Sequence, residues 1–125
     1  DTVELLYSAS MSTIVTRDDE KKTLAWAEEG AQYLSRAESV ERTWSRARIL
    51  ESILVELKSP RTIDLLSIDV EGNELAVLEG IDFSLWNFKH IVIETKEKSE
   101  SFSFLSSHDF NHLATLGNNA WFKHR

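Results

Sequence analysis

The sequence contains no cysteine, which excludes a disulfide framework, a thiolate nucleophile and a thiolate metal site; a reducing, cytosolic setting is the expectation that follows. Glycine is scarce. Gly30, Gly72, Gly80 and Gly117 are the four present, and no two stand close enough to form a Gly-x-Gly turn of the kind that cradles a cofactor. No run of about 18 apolar residues occurs, so no membrane-spanning helix is expected. The first residues, Asp1-Thr2-Val3-Glu4, place no basic stretch ahead of an apolar core as a secretory leader would. Basic residues are also in deficit. With 14 Lys and Arg against 21 Asp and Glu, the formal charge is −7, and that sign opposes association with nucleic acid or an anionic membrane surface.

What is present is enough for one modest core. Of 125 residues 42% are hydrophobic, with four Trp and six Phe to give bulk, and a chain of this size buries about two thirds of its unfolded surface. A single domain over residues 1–125 is expected. The chain enters directly into a strand-like segment without Met, which predicts that residues upstream have been removed. Residues 3–9 read as that strand, followed by small polar residues 10–13. Residues 18–37 are strong helix formers, with Leu24, Ala27, Ala31 and Leu34 as an apolar stripe and Asp18, Asp19 and Glu20 suited to the first turn. Gly30 weakens that helix. Residues 40–48 alternate as an exposed or edge strand.

Ile49, Leu50, Ile53, Leu54 and Leu57 mark a short amphipathic helix stopped by Ser59-Pro60. Residues 63–70 are nearly continuously apolar, the pattern of a strand buried on both faces of a parallel sheet. Glu71-Gly72-Asn73-Glu74 turns the chain into a helix carrying Leu75 and Leu78, ended by Gly80. Residues 90–95 form a second strand, reached after a connection long enough for a crossover, and the three elements make a βαβ unit. Phe110, Leu113 and Leu116 predict a further helix capped by Ser106 or Ser107. Gly117-Asn118-Asn119 marks a turn and residues 120–123 a last strand.

The two expected parallel strands both end in acid, Asp69 and Glu71 after the first and Glu94 at the end of the second. Ligands of open α/β sheets bind beyond the carboxyl ends of the strands. Carboxylates there can accept hydrogen bonds from ligand hydroxyls, hold a divalent cation or remove a proton from a nucleophile. The structural alternative is that Asp69 caps the following helix and Glu71 is solvated. His108 and His112, four apart on the expected helix, with Asp109, offer a weaker metal-ligating group; a solvated helix face is the competing reading. His90 sits at the mouth of its strand. Arg42, Arg46 and Arg48 with Trp44 read as an exposed strand face rather than an anion site. Trp86, Phe88, Trp121 and Phe122 are assigned to packing against the sheet.

The stretch Ile63-Asp64-Leu65-Leu66-Ser67-Ile68-Asp69-Val70-Glu71-Gly72-Asn73-Glu74, followed by Val77-Leu78-Glu79-Gly80 and Ile91-Val92-Ile93-Glu94, resembles the C-terminal signature of FkbM-family methyltransferases. The likeness covers about residues 4–96 and is specific over 62–96. It implies a partial Rossmann-like methyltransferase fold of α/β class, a mostly parallel sheet flanked by helices with the first strands missing. It also implies S-adenosylmethionine as methyl donor, O-methylation of a small molecule or sugar hydroxyl, and Asp69 and Glu71 as substrate-contacting or proton-removing residues, with Glu94 in support. The family's glycine-rich cofactor turn is missing. This chain alone is therefore expected to bind S-adenosylmethionine weakly or not at all, and to be inactive by itself.

The rival reading is a non-catalytic interaction or structural α/β module, and a third is a carboxylate metal-binding domain on Asp69, Glu71 and Glu94. Losing the first strands of a doubly wound sheet uncovers an edge that tends to pair with another chain. Self-association is the expected consequence; a clean monomer in sedimentation at high concentration would count against it.

Overall fold

A computed structural model describes residues 2–8, 12–15, 20–33, 39–95 and 99–125. The chain divides into two units, Asp1–Arg48 and Ile49–Arg125. In the first, β1 (Thr2–Tyr7) pairs antiparallel with β2 (Thr13–Ile14) and with β3 (Glu41–Arg46), in the order β2-β1-β3. Helix α1 (Glu20–Gly30) runs into a 3-10 turn, Ala31–Tyr33. Among the residues whose burial is described, Thr23, Ala27 and Gly30 are buried; Ala27 of the expected stripe is thus packed, while Leu24 is 37% exposed. The buried Ser8 hydroxyl donates to the Ala27 carbonyl at 2.7 Å, a contact that a bulky residue at position 27 would obstruct. Gly30 closes the α-helix rather than interrupting it. Every residue of β3 is exposed, and Trp44 is 68% exposed, as an edge strand allows. Residues 9–11, 18–19 and 34–37 of the segments expected here lie outside the described residues.

The second unit contains α2 (Leu50–Glu56), β4 (Thr62–Ile68), α3 (Glu74–Glu79), β5 (Asn87–Glu94), α4 (Glu100–Ser107), β6 (Phe110–Leu116) and β7 (Asn119–His124). Its sheet has the order β4-β5-β7-β6. β4 and β5 are parallel with α3 between them in the chain, the expected βαβ unit. The other pairs, β5 with β7 and β7 with β6, are antiparallel. The protein is therefore mixed α/β with two sheets, and the expectation of a mostly parallel sheet is corrected: one strand pair is parallel.

The physical reason lies in residues 110–116. Phe110, Leu113 and Leu116 have helical spacing, but the segment is a strand with a register shift between His112 and Ala114. A bulge of this kind breaks the alternation that identifies a strand. Phe110 is buried whereas Leu113 and Leu116 are 56% and 64% exposed, so the three residues do not share one buried face. Two residues then separate β6 from β7. Gly117, at φ +61°, takes the first turn position, where a type II′ hairpin requires glycine; strands joined this tightly must be antiparallel. The helix expected there stands earlier, as α4, and Ser99 caps it, its hydroxyl accepting from Phe102 N at 3.1 Å.

β4 also departs from expectation. It is an edge strand with Ile68 its one buried residue and Leu65 52% exposed. A continuous apolar run does not distinguish a central strand from an edge strand backed on one face. The core lies around β5 and β7, where Leu78, Phe88, Ile91, Ile93, Leu105 and Phe122 are each at most 1% exposed. Phe83 joins it with ring centroids 6.0 Å from Phe88 and 5.7 Å from Phe110, within the range of favourable edge contacts. Among the described residues no helix is long and apolar enough to cross a membrane.

Helix α2 stops before Ser59-Pro60 through paired backbone bonds: Ser59 N donates to Leu54 O at 2.9 Å and Lys58 N to Val55 O at 3.0 Å. This is the Schellman arrangement, whose left-handed residue is usually glycine; here it is Lys58 at φ +52°. Replacing Lys58 by Gly should raise stability by about 0.5–1 kcal/mol by removing left-handed strain. Urea unfolding of the two proteins checks this, and an unchanged or lower midpoint would contradict it.

Candidate functional site

Parallel pairing places Ile68 opposite Ile93, so the residues that follow, Asp69 and Glu94, leave the sheet side by side. The chain then turns sharply through Glu71 at φ +52° and Gly72 at φ +94°. That turn brings Glu71 back toward the strand ends. Asp69, Glu71 and Glu94 each present a carboxylate oxygen, and these oxygens lie within 4.8 Å of one another. Asp69 is exposed and the other two are half-buried.

The turn is held by a fourth carboxylate. Glu74, 7% exposed, bends back from the first residue of α3, and its Oε1 accepts from Gly72 N at 3.1 Å and Val70 N at 3.3 Å. Asn73 occupies the N-cap position with no side-chain capping bond; its amide donates to Val70 O at 3.4 Å. The reading of Asp69 as helix cap is thereby corrected, because the N-cap, Asn73, lies four residues beyond it. Gly72 has nothing within 4 Å of where a Cβ would lie, so its backbone angle, not space, calls for glycine there.

Glu94 is fixed from the far side. Asn118, in the β6–β7 turn, donates from Nδ2 to Glu94 Oε1 at 3.2 Å, and its carbonyl accepts from Thr95 N at 2.8 Å. Thr95 Oγ1 lies 2.5 Å from Ser99 Oγ, tying the end of β5 to the capped start of α4. Asn118 was not singled out from the sequence. Its only signal was membership of a Gly-Asn-Asn turn, and nothing local in that motif places it against Glu94.

The weaker candidates separate. His108 follows α4, its Nδ1 donating to Phe104 O at 2.8 Å with the ring stacked on Phe104. His112 belongs to β6 and packs against Phe102 and Phe122. The expectation that they share a helix face is corrected, since the segment between them changes from helix to strand. His90 is mid-strand, four residues before Glu94 and thus about 13 Å along the strand, with Nδ1 3.3 Å from Asp64 O. Arg42 donates to Glu4 at 3.1 Å. Trp86 and Phe88 are buried in the core; Trp86 carries Arg61 over its ring at 4.2 Å.

Three carboxylates this close can accept hydrogen bonds from ligand hydroxyls, share a proton or take up a divalent cation. The left-handed backbone at Glu71, unusual for a non-glycine residue, marks strain stored at the cluster. The Glu71→Gly protein should therefore be more stable than Glu71→Ala by about 1 kcal/mol, both having lost the carboxylate. Equal denaturation midpoints for these two variants would remove strain from the account.

The model of the methyltransferase FkbM domain matches residues 7–119, a span that includes all three clustered acids. Methyltransferase sdnD of Sordaria araneosa is 53% identical over 38 residues. That stretch is 30% of this chain and 15% of sdnD, so the match spans a small part of that relative's length. No solved structure matches the chain.

Proposed function

The chain belongs to the FkbM methyltransferase family, and from that premise we propose that it supplies the acceptor side of an O-methylating site. The observation that carries this is the meeting of Asp69, Glu71 and Glu94 within 4.8 Å at the carboxyl ends of the parallel pair, the place where α/β sheets receive ligands. The acceptor is a hydroxyl of a small molecule or sugar. Asp69 and Glu71 accept its hydrogen bond, orient its oxygen and take its proton; Glu94, anchored by Asn118, holds the cluster's third side. The Rossmann-like arrangement belongs to this proposal, with β4-α3-β5 as its parallel element.

S-adenosylmethionine is the methyl donor that the family implies. Among the described residues there is no cradle for it. No two of the four glycines are close in sequence, and the amides of the one glycine turn at the strand ends are taken by Glu74.

In the complete protein containing these residues, Asp69→Ala should lower turnover of S-adenosylmethionine with hydroxylated acceptors by about 100- to 10,000-fold, the usual range for loss of a general base. Stability should change little, because Asp69 is exposed. Unchanged turnover removes Asp69 from the mechanism. Calorimetric titration of S-adenosylmethionine into residues 1–125 should be silent, and micromolar binding would overturn the division of the site.

A further inference from the structure

We propose that Glu74 is a positioning residue that sets the aim of Asp69 and Glu71 without touching the acceptor. The inference rests on the reading of the three-acid cluster as the acceptor site, and it concerns how that cluster is held.

A side chain's direction follows from its own backbone angles. The peptide plane after a residue turns with that residue's ψ. The two N–H groups that Glu74 Oε1 accepts belong to Val70 and Gly72, which are the planes immediately following Asp69 and Glu71. One oxygen therefore clamps the plane next to each of the two proposed catalytic residues. The clamp is charge-assisted, and such hydrogen bonds are stronger than neutral ones. It is also screened little by solvent, since Glu74 is 7% exposed.

The backbone needs such a clamp. With Glu71 at φ +52° and Gly72 at φ +94°, the N–H groups of Val70 and Gly72 converge on one oxygen, an arrangement suited to an anion. Here the chain's own carboxylate fills it, so the turn is closed to an outside anion and held in its left-handed form. Removing the carboxylate leaves two amides without their acceptor and lets Glu71 relax toward right-handed angles. Its carboxylate would then leave the cluster. Displacements of about 1 Å at reacting groups cost on the order of 100-fold in rate.

Four variants test this in the chain as it stands: Glu74→Ala, Glu74→Asp, Glu74→Gln and, as a control, Leu78→Ala, which empties a fully buried site on the same helix without touching the turn. Amide hydrogen exchange is followed at Val70 and Gly72, and carboxyl titration of Asp69, Glu71 and Glu94 by carbon NMR. Glu74→Ala should speed exchange at both amides by about 10-fold relative to Ile93, the loss of roughly one hydrogen bond, and should alter the titration of Glu71 and Asp69. Glu74→Asp, one methylene short of reaching both amides, should do the same if the alanine variant fails to fold. Glu74→Gln, whose neutral carbonyl oxygen accepts the same bonds more weakly, should restore both readouts in part. Leu78→Ala should lower overall stability and move neither.

The proposal is overturned if the titration of Asp69 and Glu71 is unchanged in a folded Glu74→Ala or Glu74→Asp protein, or if Leu78→Ala reproduces the effect. These readouts need no turnover. Failure of the methyl-transfer reading would show in Asp69→Ala activity instead, so the two failures are distinguishable.

Discussion

The acidic cluster depends on the parallel pairing of β4 with β5. Two strands running the same way end at the same side, and the register that sets Ile68 against Ile93 delivers Asp69 and Glu94 as neighbours. Had the seven-residue β4 paired antiparallel, the two acids would have left opposite ends of the sheet, about 20 Å apart. Parallel pairing requires a crossover, and α3 provides it. Leu78 of α3 is fully buried against a core that contains Ile91 and Ile93. The helix that returns the chain is thus seated on the strands it connects, while the turn at its start is held by Glu74.

The βαβ unit and its acidic ends were legible in the sequence because they are local. An apolar run, a Glu-Gly turn and a β-branched run occur in order, and parallel strands follow from a connection of crossover length. What was misread depends on tertiary partners. β4 is as apolar as a central strand, but among the described residues it stands at the edge of its sheet, and Leu65 is half exposed. Residues 110–116 carry a helical spacing only because a bulge interrupts the strand alternation between His112 and Ala114. In α1 the expected stripe is split: Leu24 is exposed while Ala27 is buried, and the bond from Ser8 to the Ala27 carbonyl records a close approach at Ala27. Glu74 was visible only as one more charge in a short motif, since its role lies in bonds to backbone groups that sequence patterns do not register.

Among the described residues three non-glycine ones adopt left-handed backbone, Lys58, Glu71 and Asp109, and they do so for different reasons. Lys58 and Asp109 follow α2 and α4, where a helix end commonly requires such a residue and a surface side chain tolerates it. Glu71 precedes a helix rather than ending one, and glycine stands beside it at position 72. A glycine at 71 would relax the turn but remove a carboxylate from the cluster.

The mixed sheet bears on the same site. A parallel strand beside β5 would bring its own carboxyl end, and a long connection, to the level of Glu94. β7 runs the other way, so what arrives there is its first residue, Asn119, paired with Glu94, and the two-residue turn before it. A turn this short, with its glycine at a fixed positive φ, has little freedom to move. It places an amide donor on Glu94 rather than a further acid, which orients one carboxylate without adding to the repulsion among the three. The antiparallel hairpin that departs from a doubly wound pattern thus completes the wall that the parallel pair begins.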